Sequence, residues 1–140
     1  MKKSLRSILI ILILLLTVPI YSSAEEQPDV AAIIAAEGFL KSLDHGDYTA
    51  AWKQVSTVNQ SYSSPPEWYT KILAVRPYLG QVTKRSLEKL SRHNSWVGLP
   101  DGDYLRISFT TVFQYKKDSL ETVVLVKEQG KWVTSSYHLR

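Results

Sequence analysis

The hydrophobic residues of this 140-residue chain change their spacing near residue 81, from a helical period to the alternation of strands. Ala32, Ala36, Leu40 and Leu43 recur at intervals of three and four, which places them on one face of a helix. Pro28-Asp29 supplies the start signals that such a helix needs. The pattern therefore predicts an amphipathic helix that begins near residue 28 and ends before residue 46.

Two shorter helices are predicted after this one. Gly46 can adopt the positive φ that often ends a helix, and Trp52 marks the apolar face of the segment that follows. Pro65-Pro66 suits the first turn of a third helix, and Pro77 is expected to end it. The polar residues 56–64 between them are predicted to form a loop.

The second half of the chain alternates apolar and polar residues, which is typical of half-buried strands. Gln129-Gly130 is a hairpin-turn signal between the last two strands. The predicted strands are residues 82–92, 105–115, 121–128 and 132–139. The sequence therefore predicts an α+β fold, with three N-terminal helices packed on a curved antiparallel sheet of about four strands.

The first 24 residues have the layout of a secretory signal peptide. Lys2, Lys3 and Arg6 precede an apolar run over residues 8–20, and small residues lead to a predicted cut after Ala24. This run is shorter than the roughly 20 residues of a membrane-spanning helix. We therefore expect an exported protein, periplasmic or extracellular, with one domain over residues 25–140 and no stable membrane span after cleavage.

The charge balance argues against nucleic-acid binding. The whole chain has 17 Lys and Arg residues, 13 Asp and Glu residues and a net charge of +4, but the predicted cut removes three of the cations. The remainder is close to neutral and lacks the dense cationic cluster that neutralises phosphates. The chain has no Cys, which excludes disulfides and thiolate metal sites.

Several motifs resemble known families. Residues 39–48, followed by Ala51-Trp52, resemble the opening of nuclear-transport-factor-2-like (NTF2-like) domains. Nearly the whole chain after residue 24 resembles the bacterial domain of unknown function 4019 family. Further matching marks are Trp68, the stretch from Arg76 through Leu79-Gly80 to Arg85, residues 99–104, residues 109–111, residues 121–123 and Trp132-Val133 with Tyr137. The resemblance implies a cone-shaped, cystatin-like arrangement of helices and sheet in an exported bacterial protein, and it brings no established activity.

Five residues form the candidate ligand-binding pocket. They are aromatic or charged residues that the predicted fold can direct into the cone: Trp52, Trp68, Arg85, Glu121 and Tyr137. A competing interpretation is that the aromatic residues are simply the core. Arg85 and Glu121 are likewise open to a second interpretation, as a buried ion pair on adjacent strands, because buried charges require partners.

The sequence offers few residues for catalysis or metal binding. His138, Glu121, Asp44 and Asp47 are the candidates for acid–base work, but Asp44 and Asp47 also suit helix caps. The histidines form no HxxxH or HExxH motif, and Asp101-Gly102-Asp103 lacks the later ligands of a calcium loop. We therefore predict no metal, no cofactor and no catalytic residue.

The function predicted from the sequence is a small non-enzymatic domain that binds a ligand or a cell-envelope protein. The alternative is an enzyme of hydrolase or isomerase type that uses Asp, His or Glu side chains in the cone. A further possibility is a homodimer formed through the open sheet face around Arg106, Ser108 and Thr110.

Overall fold

The computed structural model describes residues 28–140, so the predicted signal peptide and its cleavage site at Ala24 lie outside the described residues. The described chain contains four α-helices, one 3-10 helix and four β-strands in a single sheet. The helices are α1 (Pro28–Asp44), α2 (Tyr48–Trp52), α3 (Thr57–Tyr62) and α4 (Pro65–Leu73), followed by the 3-10 helix (Arg76–Leu79). The strands are β1 (Val82–His93), β2 (Tyr104–Phe113), β3 (Ser119–Glu128) and β4 (Lys131–Leu139).

The α+β prediction is confirmed, but the helix count of three is wrong. The additional helix, α3, occupies most of residues 56–64, which were predicted to form a loop. Ser56 caps it, with its Oγ accepting a hydrogen bond from the Asn59 backbone N–H at 3.2 Å. No buried residue lies in α3 itself, so the segment has no apolar face that a periodicity argument could detect.

The third predicted helix is also shorter than expected. It ends at Leu73, and Pro77 is the second residue of the 3-10 helix rather than the residue that ends α4. Gly80 then turns the chain into β1 with φ +71°, and a Cβ there would approach the Gln114 and Tyr115 side chains to less than 3.0 Å. Only glycine fits this turn without a shift of its neighbours.

The four strands form an antiparallel meander in the order β1-β2-β3-β4. Arg85 on β1 and Glu121 on β3 are therefore separated by β2, so the prediction that they lie on adjacent strands is wrong. Their side chains nevertheless meet, because Thr111 faces Arg85 and Phe109 faces Glu121 across the two ladders. Side chains that share one face of a sheet can reach diagonally across an intervening strand.

The core lies between α1 and one face of the sheet. Ala32, Ala36, Phe39, Leu40 and Leu43 of α1 are buried, as the spacing predicted. They pack with buried residues of β2 and β3, namely Leu105, Ile107, Phe109, Val123 and Leu125. Trp52, Trp68, Trp132 and Tyr137 are partly buried and pack against this core rather than forming its centre.

A β-bulge interrupts β4 at Ser135. Leu125 pairs with Thr134 and Val124 pairs with Ser136, so Ser135 is the extra residue. The free edge of β4 is covered here by the chain between α2 and α3, because Ser56 N donates to Thr134 O at 2.8 Å and Thr134 N donates to Gln54 O at 2.7 Å. Bulges redirect side chains locally, and this one shapes the wall of the cavity described below.

Within residues 28–140, no helix combines the length and the apolar character needed to cross a membrane.

Candidate functional site

A buried ionic network lies beneath the end of α1. Glu121 is its centre: its side chain is 0% exposed, and its two oxygens accept hydrogen bonds from four neighbours. Arg76 Nη1 donates at 2.9 Å, Arg85 Nε at 2.8 Å, Thr111 Oγ1 at 2.6 Å and Tyr137 OH at 2.7 Å. A carboxylate surrounded in this way has its acceptor capacity filled by the protein itself.

The second carboxylate of this ionic network is Asp44, the last residue of α1. It forms salt bridges with Arg76 and with Arg85, whose Nη1 lies 2.7 Å from Asp44 Oδ2. Each arginine therefore bridges both carboxylates, and the two positive charges balance the two negative charges. The arginines also lie at the C-terminal end of α1, where the helix dipole favours positive charge. Arg76 is further held over the Phe113 ring, 5.0 Å from its centroid.

The surroundings of the ionic network raise the pKa of two of its members, Tyr137 and Arg85. Burial raises the pKa of Tyr137, and the adjacent Glu121 charge raises it further, so its hydroxyl stays protonated. Burial alone would lower the pKa of Arg85, but the hydrogen bond to Asp44 and the charge of Glu121 outweigh it and raise that pKa. Neither Tyr137 nor Arg85 therefore offers a readily exchanged proton, as expected of structural residues.

A cavity of about 310 Å³ opens beside the ionic network, between α2, α3, α4 and β4. We call it the aromatic cavity, because five aromatic side chains contribute to its walls. Trp52 and Trp68 stand with ring centroids 5.5 Å apart, and Phe39 packs edge-on against Trp68. Among residues 28–140, Lys71 is the charged residue of the lining, and no carboxylate lines the cavity. The full lining is Phe39, Trp52, Val55, Asn59, Tyr62, Ser63, Trp68, Lys71, Ile72, Thr134, Ser135, Ser136 and Tyr137.

Three consecutive residues of β4 that carry hydroxyl groups line the opposite wall. Thr134 and Ser135 are each 3% exposed, and Ser136 follows them. Within residues 28–140, none of these three hydroxyl oxygens has a hydrogen-bond partner. A buried hydroxyl without a partner costs about 1–3 kcal/mol, so three in one wall require an explanation.

Tyr137 connects the ionic network to the aromatic cavity. Its ring lines the cavity and packs edge-on against Phe39 at 5.9 Å, while its hydroxyl donates to Glu121. The side chain is therefore fixed at both ends. The cavity wall that it forms is rigid because the network behind it is fully hydrogen bonded.

The five sequence-predicted pocket residues are divided between these two regions. Trp52, Trp68 and Tyr137 line the aromatic cavity, whereas Arg85 and Glu121 belong to the ionic network and do not line it. The interpretation of Arg85 and Glu121 as a buried ion pair agrees with the geometry, since Arg85 Nη2 lies 2.7 Å from Glu121.

Sequence reasoning missed two parts of the site. Arg76 was noted only as part of the family resemblance and not as a site residue, although an arginine directly before Pro77 in an otherwise apolar segment is a signal for a buried partner. The hydroxyl row Thr134-Ser135-Ser136 was also missed, although three small polar residues in succession break the alternation expected of a strand.

The residues considered for catalysis do not converge. His138 is exposed on β4, and Asp47 caps α2 by accepting a hydrogen bond from Ala50 N at 2.9 Å. Asp44 and Glu121 are both occupied by arginines. Across residues 28–140, no three His, Asp or Glu side chains gather closely enough to hold a metal ion.

Trp96, in the loop before β2, lies on the other side of the sheet. It packs against His93 and Tyr104. Together with Arg106, Thr122 and other residues of the outer sheet face, it lines a separate cavity of about 350 Å³. This surface is distinct from the aromatic cavity.

Comparison with known proteins identifies a family and a fold. The family model described as a protein of unknown function, DUF4019, matches residues 35–137. The solved structure described as an NTF2-like transpeptidase from Campylobacter jejuni superposes with a TM-score of 0.54 and 16% identity, covering 74% of this chain and 96% of that one. No curated protein sequence matches the chain. At this identity, the structural similarity concerns the fold alone.

Proposed function

The chain belongs to the DUF4019 family of proteins of unknown function, and we propose that it is a small non-enzymatic domain that binds a ligand in the aromatic cavity. The observation that carries the proposal is the composition of the cavity walls. Indole rings of Trp52 and Trp68 provide apolar surface, and the unpartnered hydroxyls of Thr134 and Ser135 provide hydrogen-bonding groups. Mostly apolar walls with a few placed polar groups are typical of ligand sites.

The ionic network supports binding rather than catalysis. A general base needs a free lone pair within hydrogen-bond reach of the proton that it removes. Glu121 and Asp44 are each paired with two arginines, and the Tyr137 hydroxyl is engaged with Glu121. The network therefore stabilises the floor of the cavity and has no free group for proton transfer.

The alternative function is an enzyme of hydrolase or isomerase type. The reason to test it is the similarity in fold to a structure described as a transpeptidase. A hydroxyl nucleophile in the cavity would have to come from Thr134, Ser135 or Ser136. Within residues 28–140, none of them is hydrogen bonded to a base, Lys71 included. An activated nucleophile is normally held by such a base, so this arrangement favours binding.

A fluorescent apolar anion, 1-anilinonaphthalene-8-sulfonate (ANS), tests the cavity directly. We expect ANS to bind the purified protein and to perturb the amide NMR signals of Trp68 and of residues 134–136. Trp68→Ala removes a cavity wall and should weaken binding, whereas Trp132→Ala removes a half-buried indole outside the cavity lining and should not. Equal weakening by both variants, or perturbations centred on Arg106 and Thr122, would reject the cavity as the site.

We further propose that the protein is exported and cleaved after Ala24, on the layout of residues 1–24. Intact-mass measurement of the exported protein should give the mass of residues 25–140. Export with residues 1–24 retained would contradict the proposal.

Homodimerisation through the outer sheet face stays a prediction. Arg106 and Thr110 are exposed there, while Ser108 is buried and shares a hydrogen bond of 3.1 Å with Thr122. Gel filtration with light scattering tests it, because a monomer at high protein concentration would exclude a stable dimer.

A further inference from the structure

We propose that the ligand of the aromatic cavity is a carbohydrate: a pyranose ring, with neutral and acidic sugars accepted and basic sugars disfavoured. This inference rests on the proposed binding function and adds the chemical class of the ligand. It depends on three features of the cavity walls, namely the indole faces, the hydroxyl row of β4 and the sign of the charge at the mouth.

The first feature is the pair of indole rings. Trp52 and Trp68 are half-buried, and their rings are tilted by 54° to each other within the cavity wall. The face of an aromatic ring carries partial negative charge, which attracts weakly positive C–H groups. A pyranose ring presents such C–H groups on its flat side, so it can pack on an indole without a buried polar atom meeting apolar surface.

The second feature is the hydroxyl row on the facing wall. Thr134, Ser135 and Ser136 line the cavity, and their Oγ atoms are buried and have no partner within residues 28–140. A hydroxyl can both donate and accept, so a row of three matches the hydroxyl rim of a sugar, whose groups also do both. A purely apolar ligand would leave all three unpaired, at a cost that increases as the ligand excludes water.

The bulge at Ser135 explains how the neighbouring residues Thr134 and Ser135 can contribute to one wall. In a regular strand, successive side chains point to opposite faces. Ser135 is the extra residue opposite the Val124–Leu125 step, and its carbonyl accepts a hydrogen bond from the Asn59 side chain. This contact holds the backbone of the bulge in place.

The third feature is the charge of the lining. Lys71, on the last turn of α4, is exposed, and no carboxylate lines the cavity. An exposed amine attracts an anionic ligand modestly, since exposed ion pairs contribute little energy. We therefore expect affinity to decrease in the order glucuronate, glucose, glucosamine, with small steps between them.

The test uses these three sugars and ANS with the purified protein, measured by ligand-detected NMR. We expect saturable binding of glucuronate and glucose at the ANS site, shown by competition. Thr134→Val keeps the shape of the side chain and removes one hydroxyl, so it should weaken sugar binding about tenfold while ANS binding is unchanged. Lys71→Gln should remove the preference for glucuronate, about threefold, and leave glucose binding intact.

A matched control is Leu99→Ala. Leu99 lines a neighbouring cavity of about 180 Å³ that shares Asn59 and Ser135 with the aromatic cavity, but it does not line the aromatic cavity itself. This variant should bind glucose and ANS as the wild type does.

The outcomes separate the proposal that the aromatic cavity binds a ligand from the proposal that this ligand is a carbohydrate. ANS bound at the cavity without any binding of the three sugars would overturn the carbohydrate class and leave the binding site standing. Sugar binding that Thr134→Val does not weaken would overturn the hydroxyl row as the recognition element. Absence of both ANS and sugar binding would overturn the site and the ligand class together.

Discussion

The ionic network and the aromatic cavity lie side by side and share Tyr137, yet they treat buried polar groups in opposite ways. In the network, Glu121 is fully buried, and its carboxylate accepts hydrogen bonds from four neighbouring side chains. In the cavity, the Thr134 and Ser135 hydroxyls are almost as deeply buried and have no partner among the described residues. Two buried threonines of the same sheet therefore differ in hydrogen bonding: the Thr111 hydroxyl donates to Glu121, whereas the Thr134 hydroxyl has no partner within residues 28–140.

This difference separates residues that stabilise the fold from residues available to a ligand. A buried ion pair with complete hydrogen bonding is costly to break, because removal of one partner leaves a charge without compensation. A buried hydroxyl without a partner lowers stability, so its presence requires an explanation, and a bound ligand is the one proposed for the cavity. We therefore interpret the ionic network as structural, and the candidate site is the region beside it whose buried hydroxyls lack partners among the described residues.

The largest expected effect is the loss of Glu121. Glu121→Ala leaves Arg76 and Arg85 buried with only Asp44 for compensation, and the free energy of unfolding should decrease by about 3–5 kcal/mol. Urea denaturation measures this change. The matched control is Glu88→Ala on β1, an exposed carboxylate whose loss should change stability by less than about 0.5 kcal/mol. Equal effects of the two substitutions would mean that the network does not stabilise the fold.

The second prediction distinguishes the core from the cavity wall. Phe39 is 0% exposed and packs against both Trp68 and Tyr137, so Phe39→Ala should cost about 3–5 kcal/mol. Trp52 is only half-buried, and truncation opens the cavity to solvent rather than creating a closed void, so Trp52→Ala should cost about 2 kcal/mol. Thermal and urea unfolding of both variants check the ranking. A larger loss for Trp52→Ala would place Trp52 in the core.

The third prediction concerns the pH dependence of stability through Tyr137. Because the fold raises the pKa of this phenol, the unfolded chain loses its proton above about pH 10 while the folded chain keeps it. Its contribution is complete below that pH, and above it the free energy of unfolding should decrease by about 1.4 kcal/mol per pH unit.

Tyr137→Phe should remove this part of the alkaline slope. The control Tyr115→Phe, at a tyrosine that is 71% exposed, should leave the slope unchanged. Urea denaturation at several pH values between 9 and 11 measures both. An unchanged slope in Tyr137→Phe would show that the hydroxyl is not held protonated by its surroundings.

The sequence predicted the elements whose apolar pattern is regular. The α1 residues Ala36 and Leu40 are buried as expected, and β2 to β4 were placed to within a few residues. It failed at α3, which is held by the Ser56 cap and by the Gln60 side-chain hydrogen bonds to Trp52 and Val55 carbonyls. Such polar contacts leave no periodic signature.

The candidate site could be predicted only in part, for a similar reason. Aromatic residues such as Trp52 and Trp68 are visible in any sequence, but the division between network and cavity depends on where side chains meet in space. Arg85 and Glu121 are 36 residues apart and are joined across β2. The hydroxyl wall depends on a bulge at Ser135, and a register shift of one residue cannot be read from alternation alone.

The most direct test of the account is the free energy of unfolding of a matched pair, Thr111→Val and Thr134→Val. Thr111 Oγ1 donates to Glu121 at 2.6 Å, so its loss should destabilise the fold by about 1.5 kcal/mol. Thr134 Oγ1 has no partner within residues 28–140, so its replacement should stabilise the ligand-free fold by about 1 kcal/mol. Opposite signs are the predicted result, and destabilisation of similar size by both substitutions would contradict the distinction between a structural network and a binding cavity.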